Sequence, residues 1–150
     1  FIFFFKVVAV FGIAGACRRD ELANLALSDV VVAESHILVR IRETKNYKPH
    51  SFAIIGLPSS LIKPLELVKK YISFRPPDFT PTRFFFQFHK GKASRQPVGL
   101  NLIGKIPSNI ATFLCLQNSE KYTGHSFRRL SASWLADAGA DKDIIMRHGG

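Results

Sequence analysis

The sequence predicts an α+β domain, mostly helical, with a small three-stranded antiparallel sheet, and three observations carry that prediction. Runs rich in β-branched residues at 29–34, 37–43 and 51–55 follow one another through short polar connections. Segments of helical periodicity flank them on both sides. Hydrophobic residues fill 47% of 150 positions, enough for one sizeable core, so a single domain without a disordered basic tail is expected.

Residues 1–17 open with Phe1-Ile2-Phe3-Phe4-Phe5-Lys6 and close on Ala14-Gly15-Ala16-Cys17, which invites reading as a signal peptide or lipoprotein leader. No basic segment precedes the apolar run, Lys6 interrupts it, and its length is at the short edge for a membrane span, so a buried core helix is expected. Residues 20–27 read as a short helix with Asp20 and Glu21 in the first turn, where carboxylates oppose the helix dipole. After the three strands, residues 61–74 read as a helix that tolerates Pro64 in its first turn and ends at Arg75-Pro76-Pro77. The apolar run at 83–88 lacks a decisive period, and a short strand followed by a loop to Pro107 is expected. Its phenylalanines read as core, since no cations interleave them to form a base-stacking platform. Pro107-Ser108-Asn109 starts a helix to residue 117, a second runs from His125 to Gly139, and a last one from Asp141 to about Arg147.

Twenty-one Lys and Arg against eleven Asp and Glu give a net charge of +10 and a pI near 10.0, the range of nucleic-acid binders. With a packed core, that charge sits on a folded surface. Cys17 and Cys115 are isolated, so neither a zinc site nor a disulfide framework is indicated and a reducing, intracellular setting is expected. The sharpest feature is Tyr122-Thr123-Gly124-His125-Ser126-Phe127-Arg128-Arg129, because His125 and Arg128, three apart, lie on one helix face. Phe127, Leu130, Trp134 and Ala138 are expected to form the apolar stripe of this helix, with His125, Arg128 and Arg129 pointing away from it. The amide groups at the helix N-terminus reinforce an anion site there, and a phosphate suits it.

Four separated pieces, in order along nearly the whole chain, resemble one family, the tyrosine recombinases or phage integrases. Gly15-Ala16-Cys17-Arg18-Arg19-Asp20-Glu21-Leu22 resembles the first arginine box, in which Arg stands three residues before Glu-Leu, so Arg18 matches the catalytic arginine. Glu43-Thr44-Lys45-Asn46 resembles the hairpin that carries the catalytic lysine. His125 and Arg128 match the His-x-x-Arg pair, and Met146-Arg147-His148-Gly149 is similar to the segment bearing the second histidine. Thr123-Gly124 before His125, and residues 136–141 after it, look closest to recombinase-like sequences of eukaryotic mobile elements.

The resemblance implies the fold of a DNA breaking-rejoining catalytic core, with double-stranded DNA as partner and neither metal nor cofactor required. In such enzymes a tyrosine hydroxyl attacks a DNA phosphodiester and forms a phosphotyrosyl intermediate that a 5′-hydroxyl later reverses. Arg18 and Arg128 would clamp the phosphate, since a guanidinium stays charged and donates two parallel hydrogen bonds. Lys45 would protonate the leaving oxygen, while His125 and His148 would position the phosphate and assist proton transfer. Arg129, Lys48 and His50 are expected as phosphate contacts outside the catalytic set.

The departure from the pattern is the nucleophile. The family places its tyrosine several residues after the second histidine, whereas Tyr47, Tyr71 and Tyr122 lie in other segments, so residues 1–150 are expected to be a fragment, monomeric and unable to cut DNA. The whole protein is expected to act as a tetramer on DNA, without a membrane role, in the nucleus if the host is eukaryotic. Three other readings stand beside this one: a non-catalytic DNA-binding remnant of a mobile element, a type IB topoisomerase-like enzyme, and a structural or protein-binding role. Lys48, three residues from Lys45, competes for the hairpin role. His36, His50 and His89 are scattered, and surface or packing roles are the default reading for each.

Overall fold

The computed structural model describes residues 2–42, 46–56, 63–78 and 82–148, apart from the side chains of residues 145–147. Helix α1 (Ile2–Ala14) is apolar all round and buries Phe4, Phe5, Val7, Val8 and Phe11. Only Ile2 and Lys6 of it are exposed, and a helix this apolar takes the centre of the core. It lies against α2 (Arg19–Asn24), α3 (Pro64–Ser73), α4 (Leu100–Phe113), α5 (Ser126–Asp137) and strand β3 (His50–Ile55). Among the described residues, no helix is long and apolar enough to cross a membrane.

Strands β1 (Val30–Val32), β2 (His36–Ile41) and β3 form the expected antiparallel sheet, in the order β1-β2-β3. Ile37, Val39 and Ile41 of β2 point inward, and on β3 so do Phe52 and Ile54, with Val39 opposite Phe52 and Ile37 opposite Ile54. The two-residue side-chain period places His50 on that same inward face, opposite Ile41. Just before β1, Asp29 closes a short 3-10 turn (Leu27–Asp29) by accepting the Ala26 amide at 3.1 Å and Arg42 Nε at 2.6 Å.

Two expectations need correction. The loop from residue 89 to Pro107 is instead a second hairpin, β4 (Phe86–His89) with β5 (Lys92–Pro97), followed directly by α4. Lys90 (φ 50°) and Gly91 (φ 77°) turn the hairpin with the paired positive φ angles that suit a two-residue connection. Helix α4 begins at Leu100, so Pro107 lies inside it and does not start it. Burial of Ile103, Ile106, Pro107 and Ala111 along one face holds the helix despite the hydrogen bond that a proline nitrogen cannot donate.

The apolar stripe of α5 is the second correction. Phe127 and Ser131 are buried, while Leu130 and Trp134 are 38% and 56% exposed and Ala138 is exposed. Gly12 of α1 sets this rotation, because a Cβ there would lie 2.5 Å from the Phe127 ring. Phe127 sits directly on the α1 backbone and turns Ser131 inward one turn later. The remaining helix is α6 (Lys142–His148), which packs on α5.

Phe84, Phe85 and Phe86 are each 1% exposed, which makes the phenylalanine run core. Tyr71 of α3 stacks on Phe86 at 4.5 Å between centroids, and its hydroxyl donates to the Phe86 carbonyl (3.1 Å) while accepting the Phe86 amide (2.9 Å). Burial pushes the Tyr71 phenol well above its ordinary range, so it stays a neutral donor.

Candidate phosphate-binding cleft

The turn after α1 delivers the first arginine. The Cys17 amide bonds back to the Gly12 carbonyl (2.9 Å) and the Ala16 amide to Ile13 (3.3 Å), with Ala16 left-handed at φ 48°. This helix-ending motif reverses the chain, buries Cys17 and leaves Arg18 as the residue that caps α2. Gly15 precedes the left-handed position for a packing reason: a Cβ there would collide with the Phe52 ring of β3.

Arg18 is held before any ligand arrives. Glu21, one turn into α2, accepts the Arg18 amide at 2.7 Å through Oε2 and Arg18 Nη1 at 2.9 Å through Oε1. The pair is largely buried, with 11% of the Arg18 and 3% of the Glu21 side chain exposed. Tyr47 lies flat on the guanidinium, its ring centroid 3.4 Å from Arg18 Cζ. A cation over an aromatic face adds about 0.5–2 kcal/mol. Next to Arg18, the Arg19 stem passes between Gly104 of α4 and Gly124, each close enough that a Cβ would press on it.

Arg128 comes to the same cleft from α5. Burial first, and then the like charge of Arg18, pull its proton affinity below that of a free guanidinium, while Glu21, Tyr47 and Cys17 act in the opposite sense. Its Nη1 is buried without a hydrogen-bond partner. Cys17, buried beneath both arginines, has its thiol held well above the ordinary value by burial and then by the Glu21 carboxylate, so it is uncharged. His148, at the end of α6, shares a hydrogen at 2.8 Å with the buried Ser131 hydroxyl. Burial, followed by the charges of His50 and Arg128, lowers its proton affinity.

His50 lies at the edge of this cluster, with Nε2 3.4 Å from the Gly15 carbonyl and Nδ1 buried without a partner. Arg18, Arg128 and His148 are thus brought together, with His50 beside them. His125 stands at the N-terminal end of α5, three positions before Arg128, with an exposed side chain and its amide 3.4 Å from Thr123 Oγ1. Arg129 and Lys48 are exposed, and Arg129 Nη2 is 3.5 Å from Thr123 Oγ1. Lys45 lies outside the described residues.

Reading the sequence missed three parts of this arrangement. Glu21 stands three positions after Arg18 and Ser131 three after Arg128, spacings that put each on its arginine's helix face. Tyr47 carries no local signal, because only the return of the β2–β3 connection brings it over Arg18. What the assembled groups can do is bind an anion with planar oxygens, since two guanidinium groups and an imidazole converge with one guanidinium nitrogen unfilled.

A sheet of three antiparallel strands set against a helical core is a fold this chain shares with solved recombinase structures. Residues 6–150 match the phage integrase family, and the chain belongs to that family. Among solved structures it is similar to the XerA recombinase (TM-score 0.69, 20% identity, covering 96% of this chain and 47% of that one). It is also similar to the XerH site-specific recombinase bound to its difH substrate in a pre-cleavage complex (0.67, 18%, 95% and 38%). A third is the Flpe–Holliday junction complex (0.66, 14%, 99% and 39%). The chain therefore spans less than half the length of each of these three proteins. No match was found among curated protein sequences.

Proposed function

We propose that this domain binds duplex DNA and holds one phosphodiester for strand cleavage and rejoining, as in site-specific recombination or integration. The observation that carries this is the meeting of Arg18 and Arg128 in one cleft, with Arg128 Nη1 buried and unfilled. Keeping a guanidinium nitrogen buried without a partner costs about 1–3 kcal/mol, a cost that a phosphate oxygen relieves. The XerH recombinase bound to its difH substrate and Flpe in a Holliday junction complex are similar in fold, which supports the same partner.

In the reaction, a tyrosine oxygen bonds to phosphorus, the bond to the 5′-oxygen breaks, and that oxygen leaves with a proton from Lys45. The proton of the attacking hydroxyl passes to His125 or to solvent. Charge that builds on the non-bridging oxygens meets Arg18 and Arg128. His148, held by Ser131, positions the phosphate, and Arg129 and Lys48 grip neighbouring phosphates without reading bases. Tyr71 is buried against Phe86 and cannot reach DNA. By the family's pattern the nucleophile is a tyrosine placed after the second histidine, a position that Tyr47, Tyr71 and Tyr122 do not hold. A monomer in isolation, a DNA-bound tetramer for the whole protein, and a mobile-element integrase acting in a nucleus are the narrower forms of this reading.

The test extends the reading frame past Gly150 and incubates the product with a duplex carrying a nicked suicide site. A covalent protein–DNA band is expected, and Arg128→Ala should reduce its rate by about 100-fold or more, the usual loss on removing a donor to the developing charge. Salt-sensitive DNA binding with no band would leave a DNA-binding remnant in place of an enzyme.

A further inference from the structure

His50 is poised like a ligand-binding group more than like a strut. It occupies the first inward position of β3, in period with Phe52 and Ile54, at the sheet's edge next to the α1 turn. Packing of Phe52 on Gly15 brings the carbonyl of that turn to His50 Nε2. A carbonyl only accepts, so Nε2 carries the hydrogen and the ring's orientation is set. Nδ1 is left facing the protein without a partner. Among the described residues, the buried side-chain polar atoms lacking a partner are His50 Nδ1 and Arg128 Nη1. Both act on the same neighbour, His148, which puts them on a common cleft. Two unfilled polar atoms on one cleft call for one occupant.

We propose that His50 is a further catalytic residue: held at Nε2 by the Gly15 carbonyl, it binds the reacting DNA phosphate through Nδ1, alongside Arg128 Nη1. This rests on the DNA-cleaving reading above and adds to it a histidine outside the His-x-x-Arg pair. Since Nε2 already donates, Nδ1 binds an anionic oxygen only when it too carries a hydrogen, so phosphate binding takes one proton from solvent onto His50. Around it stand the Gly15 carbonyl and His148, and Arg128 acts on that same histidine. Tying Nε2 to backbone fixes the ring without using the nitrogen that meets the substrate.

The experiment is nitrogen-resolved magnetic resonance of the histidine rings of this chain, at one fixed pH slightly above neutral, before and after adding a short uncleaved DNA duplex. His50 Nδ1 is expected to gain a hydrogen on binding while Nε2 keeps its own. The companion variant is His50→Gln, whose side-chain amide keeps a donor for Gly15 and has nothing in place of Nδ1; duplex affinity should fall about tenfold, the worth of one charge-assisted hydrogen bond. An unchanged Nδ1 in the bound complex, or wild-type affinity in His50→Gln, would make His50 a structural tie between β3 and the α1 turn and overturn the proposal. Failure of the underlying reading looks different: the duplex then leaves the His148 ring and the Arg128 guanidinium signals undisturbed as well.

Discussion

His148 shows how a single side chain carries the state of the cleft. Its proton affinity is lowered, first by burial and then by His50 and Arg128, from the ordinary value of 6.5. Above that pH both folded and unfolded chains hold it neutral and it contributes nothing. As pH falls below 6.5 the unfolded chain takes up the proton first, so acidification lowers stability down to the folded value. The slope of unfolding free energy against pH between roughly 7 and 5 should therefore be shallower in His148→Gln than in the parent, as urea titrations at stepped pH would show. An identical slope would remove His148 from the buried, cation-facing position described here. At this scale the helix-start positions of Arg18 and of His125 with Arg128 were readable, because those spacings are local. His50 was legible only as a candidate contact, since its neighbours Gly15 and Arg128 come from far along the chain.

At the scale of elements, the packing of α5 on α1 depends on the absence of a side chain at Gly12. Gly12→Ala should cost about 1–3 kcal/mol, because the new methyl displaces Phe127 and tilts the helix that carries Arg128. A coupled loss of DNA affinity is the sign that the tilt, and not stability alone, is at work. Tyr71→Phe should cost about 1–3 kcal/mol, through the two hydrogen bonds to the Phe86 backbone that it removes, with no effect on DNA affinity. Chemical denaturation measures both. The three-stranded sheet was readable because its inward residues alternate. Helix α4 was readable only from Pro107 onward, because the Gly104 stretch reads locally as loop and Pro107 as a helix start. The first is small to admit the Arg19 stem, and the second is held by burial, and both reasons are tertiary. The α5 stripe failed for the same reason: Leu130 and Trp134 fit a helical period, but the glycine on α1 chose Phe127 and Ser131.

For the whole molecule, on the proposed function, a net charge of +10 makes DNA affinity a function of salt. The logarithm of affinity should fall linearly with the logarithm of salt concentration. Arg129→Ala and Lys48→Ala should each reduce that slope by about one, without altering preference among sequences. Unchanged slopes in a fluorescence anisotropy series would take both residues off the DNA. The central position of α1 ties these distant effects together, since α5, α3, α4 and β3 all rest on it.

The Glu21 carboxylate makes the two arginines of the cleft unlike each other. Arg18 has its charge matched within the protein and its plane clamped by a carboxylate edge and a phenol face, so it acts chiefly as a rigid template. Arg128 has a nitrogen unfilled and an unmatched share of its charge, so it acts chiefly as a field source. Lysine, a compact point charge without the planar fork, is thus a closer substitute at Arg128 than at Arg18. A phosphate held as proposed would meet shape on one side of the cleft and charge on the other.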